Sequence, residues 1–344
     1  MAQRPRRRRF PLITRWGLVR LAVVCGVLAY AGGCMFWMPG KSYRGPLPPL
    51  SDDQRALSET LRGHVTHLAQ TIGQRNIWNR DNLHAAADYI QAQLEAAGYA
   101  VNRQPYQLRS VACDNLEVQI TGRADPDAIV IVGAHYDSVF DSPGANDNAT
   151  GIAALLALAR AFADKTPART LRFVAFVNEE PPFFRTELMG STVYAKRCRQ
   201  RGDNIVAMIS FDGLGCYTDQ PDSQHYPFPF GLLYPSTGNF IGFLGDTSSR
   251  KLVRRAIGTF RRHARFPSEA AAVPRAIEGV GWSDHWSFWQ AGYPAIMITD
   301  TLPFRYPHYH GPTDTPDKLD FDRMARVVDG LVPVINDLTG HTAP

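Results

Sequence analysis

Residues 128–137 read AIVIVGAHYD, an unbroken run of small and branched apolar residues that ends on a histidine and an acid. The same pattern returns in LRFVAFVNEE at 171–180, IVAMISFD at 205–212 and AIMITD at 295–300. Each run is strand-length, and the lack of apolar/polar alternation marks strands buried on both faces. Between them lie stretches of helical spacing at 149–163, 188–199, 249–263 and 283–291. Buried strands alternating with helices predict an α/β fold with a largely parallel mixed central sheet and helices on both faces. Further out, helical spacing covers 52–71 and 81–97, where Leu83, Ala86, Ile90, Leu94 and Ala97 recur before Gly98. Leu116, Val118 and Ile120 alternate as a half-exposed strand, and Met324, Val327, Val328, Leu331, Val334, Ile335 and Leu338 define a last amphipathic helix.

In open α/β sheets the functional crevice lies at the carboxyl ends of the strands. The first run is followed there by His135-Tyr136-Asp137, the second by Asn178-Glu179-Glu180, the third by Asp212 and the fourth by Asp300, with His308 and His310 in the loop beyond. Asp147, within GANDNATG at 144–151, stands just before a helix. Singly, each has a plain structural role: a histidine bonded to backbone, Asp147 as a helix cap, Glu179 and Glu180 as a solvated loop pair. Together, two histidines and four carboxylates at one sheet edge repel unless cations join them. Imidazole and carboxylate without thiolate suit zinc, with manganese or cobalt as lesser options.

The number of ligands suggests two ions. One carboxylate shared between two metals, each with a histidine and a further carboxylate, uses His135, Asp147, Glu180, Asp212 and His310. Glu179 is left free. Paired metals ~3.5–4 Å apart activate water and polarise a carbonyl, and a nearby carboxylate moves the water's proton to a leaving amine. Asp137, two residues past His135 on the same face, is placed to orient its imidazole.

His135-x-Asp137, Gly144-x-x-Asp147-Asn148-x-x-Gly151, Asn178-Glu179-Glu180, Ser210-Phe211-Asp212, Ser283-Asp284-His285 with Gly292-Tyr293-Pro294-Ala295, and Tyr309-His310-x-x-x-Asp314-Thr315 resemble the M28 zinc metallopeptidases, whose members include bacterial leucine-type aminopeptidases. The match runs in order from about residue 80 to 320. The resemblance implies one zinc on His135, Asp147 and Asp212 and a second on Asp147, Glu180 and His310, with Glu179 as general base and Asp137 as the acid that orients His135. It also matches Asp284 to an acid in a hydrogen-bond network near the metal of glutaminyl cyclase relatives. The chain departs from the family between Glu180 and Met189-Gly190-Ser191, where Pro181-Pro182-Phe183-Phe184-Arg185-Thr186-Glu187 intervenes. The implied activity is removal of amino-terminal residues from peptides. The alternatives are a glutaminyl cyclase-like acyltransferase and a non-catalytic M28-like interaction domain.

With 344 residues, 44% apolar and 20% charged, the chain is neither disordered nor collagen-like. Its net charge of +5 raises nucleic acid as a partner. The first 20 residues, however, hold seven arginines and no acid, which leaves 30 basic against 32 acidic side chains in the remainder. That distribution argues against a nucleic-acid binder. It is read instead as a cytoplasmic Arg-rich tail (1–20) before an uncharged 21–38 stretch, which predicts a transmembrane signal anchor. A proline-rich linker (39–50) and a peptidase domain (51–344) complete the expected organisation, a single-pass membrane protein with its catalytic domain periplasmic or extracellular. Ala31-Gly32-Gly33-Cys34 is a poor lipoprotein box, so an uncleaved anchor is favoured over lipidation at Cys34. Three scattered cysteines, Cys113, Cys198 and Cys216, permit at most one disulfide after the anchor. Cys216–243 carries Tyr217, Tyr226, Phe228, Phe230, Tyr234 and Phe240, readable equally as an apolar substrate pocket or as core packing. The sequence sets no oligomeric state.

Overall fold

The computed structural model describes residues 15–108 and 111–340. It divides into two units, Met1–Trp37 and Met38–Pro344. In the first, a helix runs over Arg15–Phe36 (α1); most of the expected Arg-rich tail, residues 1–14, lies outside the described residues.

The expected transmembrane anchor is corrected here. Among the described residues no helix is long and apolar enough to cross a membrane. α1 spans 22 residues but starts at Arg15, takes in Arg20 and stops at Phe36. Its uncharged part, 21–36, rises only about 24 Å at 1.5 Å per residue, short of a hydrocarbon core of ~30 Å. The single-pass topology, the membrane as a partner, the cytoplasmic N-terminus and the periplasmic or extracellular placement that rested on it therefore have no support.

The second unit is built on one eight-stranded sheet. Its strands are Asn102–Leu108 (β1), Val111–Ile120 (β2), Asp125–His135 (β3), Arg169–Phe176 (β4), Asn204–Phe211 (β5), Ile241–Asp246 (β6), Ser268–Val273 (β7) and Ala295–Thr299 (β8), in the order β1-β2-β4-β3-β5-β8-β6-β7. β4, β3, β5 and β8 are parallel neighbours, flanked by antiparallel pairings of β2 to β4 and of β6 to β8. These are the four apolar runs of the sequence, so the residue after each lies at one sheet edge. The chain leaves β3 for β4 on one side and then returns to β5 on the other. This reversal opens a crevice at the carboxyl end of β3, where His135 stands.

The helices are Asp52–Thr66 (α2), Arg80–Ala96 (α3), Thr150–Phe162 (α4), Gly190–Arg201 (α5), Arg250–His263 (α6), His285–Gln290 (α7) and Phe321–Leu338 (α8). α2 starts from a capping box between Ser51 and Gln54 and continues as a π-helical turn, His67–Ile72. α4, buried along most of its length, packs on β3, β4 and β5 and meets α2, α3 and α8. α5 and α7 pack against each other, α5 on β2 and α7 on β5 and β8. Right-handed crossovers that run in opposite directions, β3 to β4 through α4 and β4 to β5 through α5, place these two helices on opposite faces. None of the described cysteines, Cys25, Cys113, Cys198 and Cys216, is in a disulfide.

Three strands escaped the sequence reading. β1 (NRQPYQL) is an edge strand with a proline, a place where the missing N–H does no harm. β6 (IGFLGD) and β7 (SEAAAV) are rich in glycine and alanine, and it is their pairing with each other and with β8 that makes them strands.

Arg75 ties the crevice to the helical layer. It is fully buried, and its guanidinium donates to the carbonyls of Leu68, Gly73, Tyr136, Pro143 and Gly144 at 2.6–3.1 Å. These carbonyls belong to the π-helical turn and to the loop that leads from His135 to Asp147. At ~1 kcal/mol net for each bond, Arg75→Met should lower unfolding free energy by about 3 kcal/mol or more. Urea denaturation checks this, and a loss under about 1 kcal/mol would contradict the clamp.

Candidate metal centre

Strand ends and one kinked loop deliver the polar residues. His135 is the last residue of β3, Glu179 and Glu180 follow β4, and Asp212 follows β5. Asp147 precedes α4 in a loop whose glycines are forced. Gly144 has φ +61, and a Cβ there would stand 2.5 Å from the Asp147 carbonyl oxygen. A Cβ on Gly151 would stand 2.4 Å from Asn148 Oδ1. That Asn148 oxygen accepts from the N–H groups of Gly151 and Gly213, while its amide donates to the Phe211 carbonyl at 2.8 Å. Asn148 thereby locks the Asp147 loop to the end of β5. His310 adopts φ +55, a conformation rare outside glycine and typical of constrained functional positions.

Asp147 sits between the two imidazoles. Its Oδ1 is 3.3 Å from His135 Nε2 and its Oδ2 is 3.2 Å from His310 Nε2. Asp212 Oδ1 stands 3.7 Å from His135 Nε2, and Glu180 Oε2 stands 3.1 Å from His310 Nε2. Glu179 Oε2 is 3.9 Å from His135 Nε2. Asp137 accepts the backbone N–H groups of Glu179 and Glu180, each at 3.1 Å, and its Oδ1 is 3.5 Å from His135 Nδ1. The carboxylate expected to orient the imidazole thus holds the backbone of both glutamates, while His135 Nδ1 lies 3.2 Å from the main-chain carbonyl of Asp137. Val139 N–H holds the second oxygen of Glu180 at 3.1 Å.

Burial sets the charge state. It would lower the His135 pKa, but Glu179 and the carboxylates of Asp137, Asp147 and Asp212 hold it well above the ordinary histidine value. His310 is likewise pushed up to about 10, against burial, by Asp147 and Glu180. Burial raises Glu179 well above the usual carboxylate range, with His135 opposing and Glu180, Asp212 and Asp284 adding to the rise. Burial and Asp147 push Glu180 up to about 7. Asp147 is held low, because the two imidazoles outweigh its burial. The cluster therefore retains protons where it would otherwise accumulate negative charge.

A cation answers the same need, and the donors fit one. His135 Nε2 and Asp212 Oδ1 are buried without any hydrogen-bond partner. Two trios, His135 with Asp147 and Asp212, and Asp147 with Glu180 and His310, each bring their ligand atoms within 4.8 Å of one another. His135, Glu179 and Glu180 form a third, overlapping grouping of the same kind. Ligands at zinc–nitrogen and zinc–oxygen distances around a tetrahedral ion lie ~3.3 Å apart. The observed spacings of 3.1–3.7 Å from each histidine to the two carboxylates of its trio match that scale.

Several supporting residues were not legible as such. Asp314, four residues past His310, is buried and accepts from the N–H of Asn146 and of Asp147 and from the Tyr306 hydroxyl. It joins the His310 loop to the Asp147 loop. Asn146 in turn donates to Asp300, whose carboxylate also accepts from Cys216 N–H. Asp284, by contrast, was matched in the sequence to an acid of a hydrogen-bond network near the metal; it is buried, but its oxygens make no hydrogen bond of normal geometry, and burial pushes its carboxyl up to about 7.

Next to the cluster an apolar cavity opens over β8, β6 and β7. Met297, Leu244 and Ala271 form part of its floor, and Tyr226, Phe230, Tyr234, Trp282 and Phe304 its walls. Asp212 and Tyr309 stand where it meets the cluster. Tyr309 stacks on the His310 ring at 3.8 Å. The aromatic stretch is thus divided: Tyr226, Phe230, Tyr234 and Phe240 line the cavity, Tyr217 packs edge-on against Phe266, and Phe228 is 90% exposed.

Comparison with known proteins agrees with this geometry. The uncharacterised protein YfbL of Escherichia coli (strain K12) is 37% identical over 294 residues, 83% of this chain and 90% of that protein. Among solved structures, the LapA aminopeptidase of Legionella pneumophila aligns with a TM-score of 0.66 at 17% identity, over 87% of this chain and 78% of the other. The glutaminyl cyclase of Fimbriiglobus ruber aligns with a TM-score of 0.60 at 21% identity, over 86% and 97%. At such identities the two structures speak for the fold alone. The sequence profile of peptidase family M28 matches residues 115–335, which takes in every residue of the cluster. The chain belongs to peptidase family M28.

Proposed function

We propose that this protein is a zinc-dependent aminopeptidase that holds two ions, one on His135, Asp147 and Asp212 and the other on Asp147, Glu180 and His310. The observation that carries the proposal is the position of Asp147, whose two oxygens face two different imidazoles, each completed by a further carboxylate. Bound zinc supplies Lewis acidity, which lowers the pKa of water and draws electron density from a carbonyl. Glu179, needed in neither of those two trios, accepts the proton of the attacking water and delivers it to the departing amine. Asp137 aims that carboxylate through the Glu179 N–H and steadies His135. The cavity takes the side chain of the residue released, and its aromatic and aliphatic lining favours large apolar side chains over charged ones.

A glutaminyl cyclase-like reaction is the second reading, favoured by the structural likeness and by the buried Asp284. It needs one ion and no imidazole at His135. The complete trio on that side supports hydrolysis instead.

The full-length protein is expected to release the chromogen from leucine p-nitroanilide and to leave an N-terminal glutaminyl peptide uncyclised. Glu179→Gln should keep its zinc and lose hydrolysis by several orders of magnitude; near-normal turnover would refute the assigned base. His310→Ala should lose at least one zinc per chain by elemental analysis, and unchanged content would remove His310 from the ligand set.

A further inference from the structure

The segment between Glu180 and Met189, where the chain departs from the family pattern, carries an arginine with a setting unlike the others near the cluster. Arg75 and Arg305 are buried, and both donate largely to backbone carbonyls. Arg185 is exposed. Its backbone turns at φ +57, its N–H reaches Met189 Sδ at 3.4 Å, and its Nη2 donates to the Gly281 carbonyl at 2.8 Å. The guanidinium lies 5.2 Å from the Phe184 ring and 5.5 Å from the Trp286 ring. Glycine at 281 leaves room for this approach, since a Cβ there would come within 2.9 Å of Nη2.

These contacts fix a planar cation in place while using only one of its five N–H donors. Among the described residues Arg185 makes no ion pair. Val280 and Trp282, on either side of Gly281, line the apolar cavity, so the carbonyl that anchors the guanidinium sits between two residues of the cavity wall. The Glu179 carboxylate acts on it electrostatically, partly offsetting the effect of burial. A rigid fork of open donors at the rim of a peptidase site matches one chemical group above all, a carboxylate.

We infer that Arg185 receives a substrate carboxylate on the leaving-group side of the bond, so that the preferred substrates are dipeptides or peptides with an acidic residue directly after the bond. The inference rests on the hydrolytic reading above. In a dipeptide the carboxylate lies within one residue, at most ~3.6 Å of chain, of the amine that Glu179 protonates. Arg185 is a binding residue in this account and takes no part in the proton transfers.

The test compares four substrates on the full-length zinc-loaded enzyme: Leu-Gly, Leu-Gly-amide, Leu-Asp-amide and leucine p-nitroanilide, each with wild type, Arg185→Gln and Arg185→Lys. For wild type, kcat/KM for Leu-Gly, for Leu-Asp-amide, or for both should exceed that for Leu-Gly-amide by about tenfold or more, a 1.4 kcal/mol difference. A gain with Leu-Gly alone identifies the chain terminus as the source, and a gain with Leu-Asp-amide alone identifies the side chain. Arg185→Gln should bring the ratio to about one, Arg185→Lys should retain part of it, and the p-nitroanilide should be cleaved by all three within about twofold. A wild-type ratio near one for both carboxylates, or an equal loss on all substrates in Arg185→Gln, would overturn the role. Failure of wild type to cleave any of the four would remove the hydrolytic reading, and the inference with it.

Discussion

Mutual repulsion among buried carboxylates is the constraint around which the catalytic edge of this protein is organised. Asp137, Asp147, Glu179, Glu180 and Asp212 are all buried within a few ångströms of two imidazoles. Removing even one carboxylate from water is costly unless something positive or a set of N–H donors receives it. Two of the five are stabilised by the backbone: Asp137 by the N–H groups of Glu179 and Glu180, and Glu180 in part by Val139. The rest lean on the imidazoles, which hold protons far above their ordinary range. Divalent ions relieve the same charge with better geometry, which is why the donor spacing and the raised pKa values point the same way.

The supporting structure is concerned with keeping the donors from moving apart. Arg75 clamps the loop after His135 through carbonyls, Asn148 fastens the Asp147 loop to the end of β5, and Asp314 joins that loop to the one carrying His310. Each of the three bonds to main chain. In the proposed centre such residues set the positions of the donor atoms without touching a metal.

This division explains what the sequence revealed and what it concealed. The four central strands were legible because burial on both faces leaves continuous apolar runs, and the sheet-edge rule then pointed to His135, Glu179, Glu180 and Asp212 without further information. Arg75, Asn148 and Asp314 were opaque as structural clamps, since their partners are carbonyls and N–H groups distant in the chain and leave no pattern of residue types. β6 and β7 were concealed for a related reason: their Gly and Ala content carries little strand preference, and pairing with β8 decides their state. The uncharged run 21–38 resembles a span in composition alone, since its helix incorporates Arg15 and Arg20 and ends at Phe36. The aromatic stretch after Cys216 offered two readings, a substrate pocket or core packing, and its rings divide: Tyr226, Phe230, Tyr234 and Phe240 line an apolar cavity, Tyr217 packs against Phe266, and Phe228 is exposed.

Asp147 is the most direct point at which to test the proposed centre, because a carboxylate shared by two ions cannot be lost by one of them alone. Zinc content of purified Asp147→Asn, measured by elemental analysis beside wild type and with circular dichroism to verify the fold, decides the matter. The bridged arrangement predicts about two zinc ions per wild-type chain and loss of most zinc from both positions in the folded variant. A folded Asp147→Asn protein that still holds one zinc per chain with wild-type affinity would contradict it.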